Sequence, residues 1–203
     1  MIKNIIFDFG DIFINLDKEA TLRELFKLGV EELPENFFEV ACQYERGEIS
    51  TQEFIGFFEL ELDVSKGELM NAWNAILLDF PTHRLTFLKE LAKSKQYRLF
   101  LLSNTNDMHI SWIQENWGST LYLEFKNCFE EFYLSHEIHF RKPNADIYEF
   151  VLQENNLIAD ETFFIDDTEE NTRAAEKLGI KTWNLQPGKE DIIDLFIKKE
   201  FKA

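Results

Sequence analysis

The chain has 203 residues and a formal net charge of −17, from 21 Lys and Arg against 38 Asp and Glu. This length fits one domain, or one domain carrying an inserted module, and 45% hydrophobic residues are enough for a sizeable core. The acidic balance excludes a nucleic-acid backbone as the expected partner and argues against docking on an anionic membrane. The 21 phenylalanines point to aromatic-rich packing and not to a particular chemistry.

The first element predicted is a buried strand over residues 2–7, ending at Asp8. Residues 16–82 differ in kind, with helical stripes and no convincing strand. Asp17 is expected to cap a first helix with Leu22, Leu25 and Phe26 on one face, stopped by Gly29. Phe37, Val40, Ala41 and Tyr44 form a second stripe. Ser50 with Glu53, and Ser65 with Glu68, are capping-box pairs ahead of two more apolar runs. Four short helices inserted after the first strand read as a bundle placed where a lid belongs, and their aromatics read as core.

A second buried strand is predicted over residues 97–102, leading into Ser103 and Asn104, with a helix over 108–115. Strands over 130–134 and 181–184 are weaker. Asn144 is expected to cap a helix whose inner face holds Ile147, Phe150 and Val151. A third clear strand, 162–165, ends in Asp166 and Asp167, and a helix over 169–178 stops at Gly179. A last helix is predicted over 191–199. Short apolar runs alternating with helices are the pattern of an α/β domain with a buried parallel sheet. Such sheets bind ligands beyond the carboxyl ends of their strands, so the polar strand ends converge on one site.

Several residues there suit phosphate chemistry, each with a plainer explanation. Asp8 is a rigidly aimed carboxylate, or a turn cap. Asp166 and Asp167 repel each other and call for a cation such as Mg²⁺, unless they form a solvated turn. Ser103 and its turn can hold phosphate oxygens, or cap a helix. Lys142, before Pro143, can neutralise a carboxylate and a phosphate together, or face solvent beside Arg141. Cys42 and Cys128 have no CxxC spacing and read as reduced core thiols of a cytoplasmic protein. No signal peptide and no membrane span are expected. The four histidines show no metal-binding spacing and read as incidental.

The phrases IIFDFGDIFINLD, LFLLSNTN, RKPNADIY and FFIDDTEENTRAAEKLGI, in that order, span nearly the whole chain. Together they resemble the haloacid dehalogenase-like (HAD) hydrolase superfamily, in the branch of small phosphatases related to glucose-1-phosphate phosphatase. The resemblance implies a Rossmann-like core over residues 1–15 and 83–203 and a helical cap of the C1 type over 16–82. It implies Asp8 as nucleophile, Ser103 and Asn104 as phosphate-binding residues and Lys142 as the cation steadying Asp8 and the phosphoryl group. It also implies Mg²⁺ on Asp8, the Gly10 carbonyl, Asp167 and Asp166, the last as ligand or outer partner.

The substrate implied is a small phosphorylated metabolite such as a sugar phosphate, handled by a monomer or weak dimer. One position departs from the family pattern. The second acid expected two residues after the nucleophile is Gly10, so the acid/base role is open among Asp11, water and a cap residue. Arg46, Glu48 and Asn74 are weaker candidates for contacts from the cap. A 2-haloacid dehalogenase and a non-catalytic protein on the same scaffold are the alternatives.

Overall fold

A computed structural model describes residues 1–198 and 201. Five strands form one parallel sheet: β1 (Asn4–Phe7), β2 (Arg98–Ser103), β3 (Glu131–Leu134), β4 (Thr162–Asp166) and β5 (Lys181–Asn184), in the order β3-β2-β1-β4-β5. All five lie where the sequence pattern puts them. Ile5, Phe7, Leu99, Leu101, Phe163 and Ile165 pack on one face, and Ile6, Phe100, Leu102 and Phe164 on the other. Both faces are covered by helices, so the strands read as unbroken apolar runs. The chain builds outward from β1 in one direction through β2 and β3, then returns to the other side of β1 as β4. The reversal leaves a crevice between β1 and β4 at their carboxyl ends, where doubly wound sheets bind ligands.

Between β1 and β2 run α1 (Ala20–Lys27), α2 (Phe37–Glu45), α3 (Thr51–Leu62), α4 (Lys66–Asn74) and α5 (Thr82–Ser94). The first four bury a cluster of their own, including Leu25, Phe37, Phe54, Phe58, Leu69 and Trp73, with Met108 reaching in from the core. Tyr44 stacks on Phe54 at 4.4 Å, and Phe54 meets Trp73 edge-on at 4.6 Å. Both capping boxes form, at Ser50–Glu53 and Ser65–Glu68. Gly29 takes φ +95° and closes α1, with Val30 N–H donating to Leu25 O. The segments entering and leaving this helical module pair through an antiparallel bridge between Leu16 and Leu77.

The remaining helices are α6 (Asp107–Trp117), α7 (Ser119–Lys126), α8 (Ser135–Ile138), α9 (Ala145–Glu154) and α10 (Glu169–Glu176). Some local expectations are corrected. Asp17 does not cap α1 at its first turn, because its carboxylate accepts from Glu19 N–H and Arg23 and the helix starts at Ala20. Asn144 precedes α9 in an extended conformation without a side-chain cap bond. The last predicted helix is a 3₁₀ stretch, Ile192–Ile197, and Lys199 lies outside the described residues. Helices α5, α7 and α8 add to those predicted. Cys42 and Cys128 are free and half-buried, not core thiols. Among the described residues no helix is long and apolar enough to cross a membrane.

Candidate active site

Asp8 follows β1 directly, and its N–H donates to Ile165 O of β4 at 2.8 Å, so the ladder continues one step past the strand. Continued by that step, the register of β1 with β4 sets Asp8 level with Asp166. Lys142 comes up between them, its ammonium 2.7 Å from Asp8 Oδ1 and 2.6 Å from Asp166 Oδ2. All three are buried, Lys142 to 1% exposure. The lysine therefore does not face solvent. Its backbone is clamped by Asn104, whose amide accepts from Lys142 N–H and donates to Lys142 O, both at 2.9 Å. Its ammonium also lies over the Phe164 ring at 5.4 Å.

Asp166 is fully engaged by protein donors. Besides Lys142 it accepts from Thr168 N–H at 2.8 Å and from the Asn171 amide at 3.0 and 3.1 Å. Asp167 makes a different contact, with the ammonium of Lys18. That ammonium also lies 3.3 Å from Asp11 Oδ2. Carboxylate oxygens of Asp8, Asp166 and Asp167 all lie within 4.8 Å of one another. Four carboxylates (Asp8, Asp11, Asp166, Asp167) thus face two ammoniums (Lys18, Lys142), leaving two negative charges.

Burial is the main cause pushing Asp8 up to about 7; Lys142 opposes the rise, and Asp166 and Asp167 add to it. Burial also raises Asp167, against the pull of Lys18. Burial alone would depress the Lys142 ammonium, but the Asp166 and Asp8 carboxylates lift it above its ordinary value.

The residues fit a hard divalent cation. The donors are oxygens, the acids outnumber the ammoniums by two, and Gly10 lies beside them: a Cβ placed on Gly10 would be 4.0 Å from Asp8 Oδ2. Because Asp166 is saturated, Asp8 and Asp167 have the better claim as direct ligands, with Asp166 as an outer partner. The same Gly10 Cβ would lie 2.6 Å from Leu16 Cδ1, so Leu16 fills the direction an acid there would take.

Asp11 sits in a turn at φ +56°, which re-aims its side chain from the alternation of the strand. Oδ1 accepts from Leu16 N–H at 3.1 Å and Oδ2 faces Lys18. The turn brings Asp11 to the Asp167 side of the cluster.

Beyond the acids lies a small crevice of about 90 Å³ between sheet and helical module. Gly10, Ser103, Asn104 and Thr105 form its floor, Ile14, Leu16, Ile76 and Leu77 one wall, and Glu45 and His109 line it as well. Ser103 is 3% exposed, and its hydroxyl has only a long 3.5 Å contact with Asn104 O. His109 is part of the crevice wall. Its ring stacks on Trp73 at 5.8 Å, and its two nitrogens contact Trp73 O and the Asn106 amide. Burial is the main cause depressing it to about 4, so it is a neutral wall at physiological pH.

The weaker candidates on the module sit elsewhere. Arg46 pairs with Glu48 and Glu39, and neither Arg46 nor Glu48 lines the crevice. Their neighbour Glu45 does, held by Arg141 Nε at 2.5 Å. Asn74 is buried beside the crevice wall, its Oδ1 without a partner among the described residues. The turn after α2 docks closely on the core. Gly47 has φ +64°, a Cβ there would lie 2.2 Å from His136 O, and His139 Nδ1 meets Arg46 O at 2.9 Å.

Sequence reasoning missed Asn171, Lys18 and Glu45. Only Asn171 left a local signal, an amide in the first turn of a helix that follows paired acids. Lys18 and Glu45 reach the site through the packing of the module.

A five-stranded parallel sheet with a carboxylate–lysine–carboxylate set at its switch point defines a Rossmann-like α/β core. The haloacid dehalogenase-like hydrolase family profile matches residues 5–185, and the chain belongs to that family. It is 28% identical over 199 residues to D-ribitol-5-phosphate phosphatase of Bacteroides thetaiotaomicron, covering 93% of this chain and 94% of that one. It is 24% identical over 191 residues to a sesquiterpene phosphatase of Aspergillus oryzae, covering 88% and 87%. A solved HAD family enzyme of Bacteroides thetaiotaomicron, in complex with magnesium and inorganic phosphate, superposes with a TM-score of 0.82 at 34% identity, covering 94% of this chain and 97% of that one.

Proposed function

We propose that the chain is a Mg²⁺-dependent phosphatase that hydrolyses small phosphomonoesters through an aspartyl-phosphate on Asp8. The observation that carries this reading is the buried Lys142 ammonium shared between Asp8 and Asp166, with Asp167 beside them and a crevice leading away. Asp8 is held rigidly and points where a phosphorus atom would arrive. Its attack breaks the bond from phosphorus to the ester oxygen, and the departing alkoxide leaves as the alcohol after taking a proton from water in the crevice. Water then cleaves the acyl phosphate and regenerates the carboxylate.

Ser103 Oγ and the backbone of the Ser103–Asn104 turn hold phosphoryl oxygens, while the Asn104 side chain acts by fixing Lys142. Mg²⁺, when bound by Asp8, Asp167 and the Gly10 carbonyl with Asp166 behind, supplies charge neutralisation for the transferring group. Residues 16–82 serve as the cap that closes the crevice.

The surplus of two negative charges supports this reading over dehalogenation, which has no use for a divalent cation. The intact set of Asp8, Ser103, Lys142, Asp166 and Asp167 supports it over a non-catalytic role. Hydrolysis of p-nitrophenyl phosphate is expected with Mg²⁺ and not after chelation. No metal-dependent hydrolysis of that ester, nor of a panel of phosphate esters, would sink the proposal, and metal-free halide release from 2-chloropropionate would replace it.

For the substrate, a sugar or polyol phosphate is the first reading, supported by the ribitol-5-phosphate phosphatase relative. The crevice favours a second, because its walls of Ile14, Leu16, Ile76 and Leu77 suit a more apolar alcohol. Ribitol 5-phosphate, glucose 1-phosphate and geranyl monophosphate, compared by kcat/KM, separate the two.

Asp11 is not the acid this chemistry depends on, since one oxygen is tied to Leu16 N–H and the other to Lys18. Asp11→Asn is expected to keep kcat within about tenfold. A collapse comparable to that of Asp8→Asn would assign Asp11 the proton-transfer role.

A further inference from the structure

Lys18 is not one of the residues phosphoryl transfer needs, yet its ammonium sits on the metal-facing acids. It follows Asp17 at the root of the helical module, and its side chain is 51% exposed, while the Asp167 side chain it contacts is 6% exposed. The contact with Asp167 is the closer one, and Asp11 lies at 3.3 Å on the other side. Asp166 cannot take over the role of Asp167, because Lys142, Thr168 N–H and Asn171 already occupy its oxygens.

Asp167 is therefore the carboxylate a divalent cation would need, and Lys18 already holds its Oδ2. An ammonium and Mg²⁺ on that one carboxylate would be close enough to repel each other. Magnesium also requires its carboxylate oxygens at about 2.1 Å and in near-ideal octahedral geometry, which leaves little room for a neighbouring cation. Lys18 has somewhere else to go. Asp11 Oδ2 already lies within reach, and the half-exposed stem permits the move without unpacking any core residue.

We infer that Lys18 is a tethered ammonium that occupies the Asp167 position of the metal centre and is displaced onto Asp11 when Mg²⁺ binds. The inference rests on reading the acid cluster as a metal centre. It makes Lys18 a positioning residue that keeps Asp167 paired while no metal is present, at the expense of metal affinity. Because Lys18 stands at the root of the module, metal occupancy also changes what that segment is tied to.

Calorimetric titration of the full chain with Mg²⁺ alone, without substrate, tests this. Lys18→Met is expected to bind Mg²⁺ about tenfold more tightly than the natural protein. Lys18→Arg, which keeps the cation, is expected to stay close to the natural affinity. Lys89→Met makes the same charge change on α5, at a residue paired with Glu124, and is expected to leave the affinity unchanged. Crystal structures with and without Mg²⁺ should show the Lys18 ammonium on Asp167 only without metal. Equal or weaker Mg²⁺ binding by Lys18→Met, an equal gain in Lys89→Met, or a Lys18–Asp167 contact persisting beside a seated metal would overturn the inference. Absence of Mg²⁺ binding in every variant would instead overturn the metal-centre reading beneath it.

Discussion

Asp8→Asn is expected to lower phosphomonoester turnover by at least ~10⁴-fold, because an amide cannot form the acyl phosphate. The same change is expected to stabilise the metal-free protein at alkaline pH. Asp8 in the folded chain titrates near 7, above its value of 3.8 in an unfolded chain, so the folded state holds this proton more tightly. Its contribution to stability is fully present below about pH 4 and is lost as pH rises through 7. The loss is on the order of 2–4 kcal/mol by pH 8, relative to acid conditions. Thermal unfolding in chelator should show the natural protein falling by roughly 5–10 °C between pH 5 and pH 8, with Asp8→Asn falling less. Saturating Mg²⁺ should flatten the slope. A natural protein whose metal-free stability is level over that range would contradict the assignment of a strained carboxylate at Asp8.

Lys142→Met should have the opposite balance, losing activity and stability together. Its ammonium bonds to both Asp8 and Asp166, and its removal leaves two buried carboxylates without their cation. Breaking a buried pair from one side typically costs about 3–5 kcal/mol, because the remaining charge stays desolvated. Urea unfolding should register a loss of that order, with hydrolysis down at least ~10³-fold. Lys142→Arg would not rescue it, since a planar fork does not fit a site built around a single point charge. Full stability in Lys142→Met would show that the carboxylates reprotonate freely, and that the lysine matters to the substrate alone.

The strands were legible because each is a short apolar run buried on both faces, and that burial leaves an uninterrupted hydrophobic stretch. The two capping boxes were legible because Ser and Glu three residues apart satisfy each other locally. The clustered acids were legible by position, as polar residues closing apolar strands. What the sequence could not show depends on distance in space. Whether Asp11 reaches the site turns on one positive φ, and the identity of its partner turns on where Lys18 falls after the chain has entered the helical module. Glu45 was passed over in favour of Arg46 and Glu48, because nothing in a helical stripe says which end of α2 overhangs the sheet. That the Asn104 side chain clamps the backbone of Lys142, 38 residues further along the chain, is likewise visible only in the fold.

The Leu16–Leu77 bridge ties the entry and exit of the helical module into a single two-stranded ribbon. The clasp on the far side of the crevice is of another kind, polar and breakable: Glu45 to Arg141, the Tyr44 hydroxyl to Met108 N–H, Thr51 to Asp107, and His139 to the Arg46 carbonyl. The crevice is thus bounded by a backbone ribbon on one edge and by polar side-chain contacts on the other. Leu16 and Leu77, which line the crevice, belong to this ribbon, so one wall of the crevice is built from the same residues that join the module to the core.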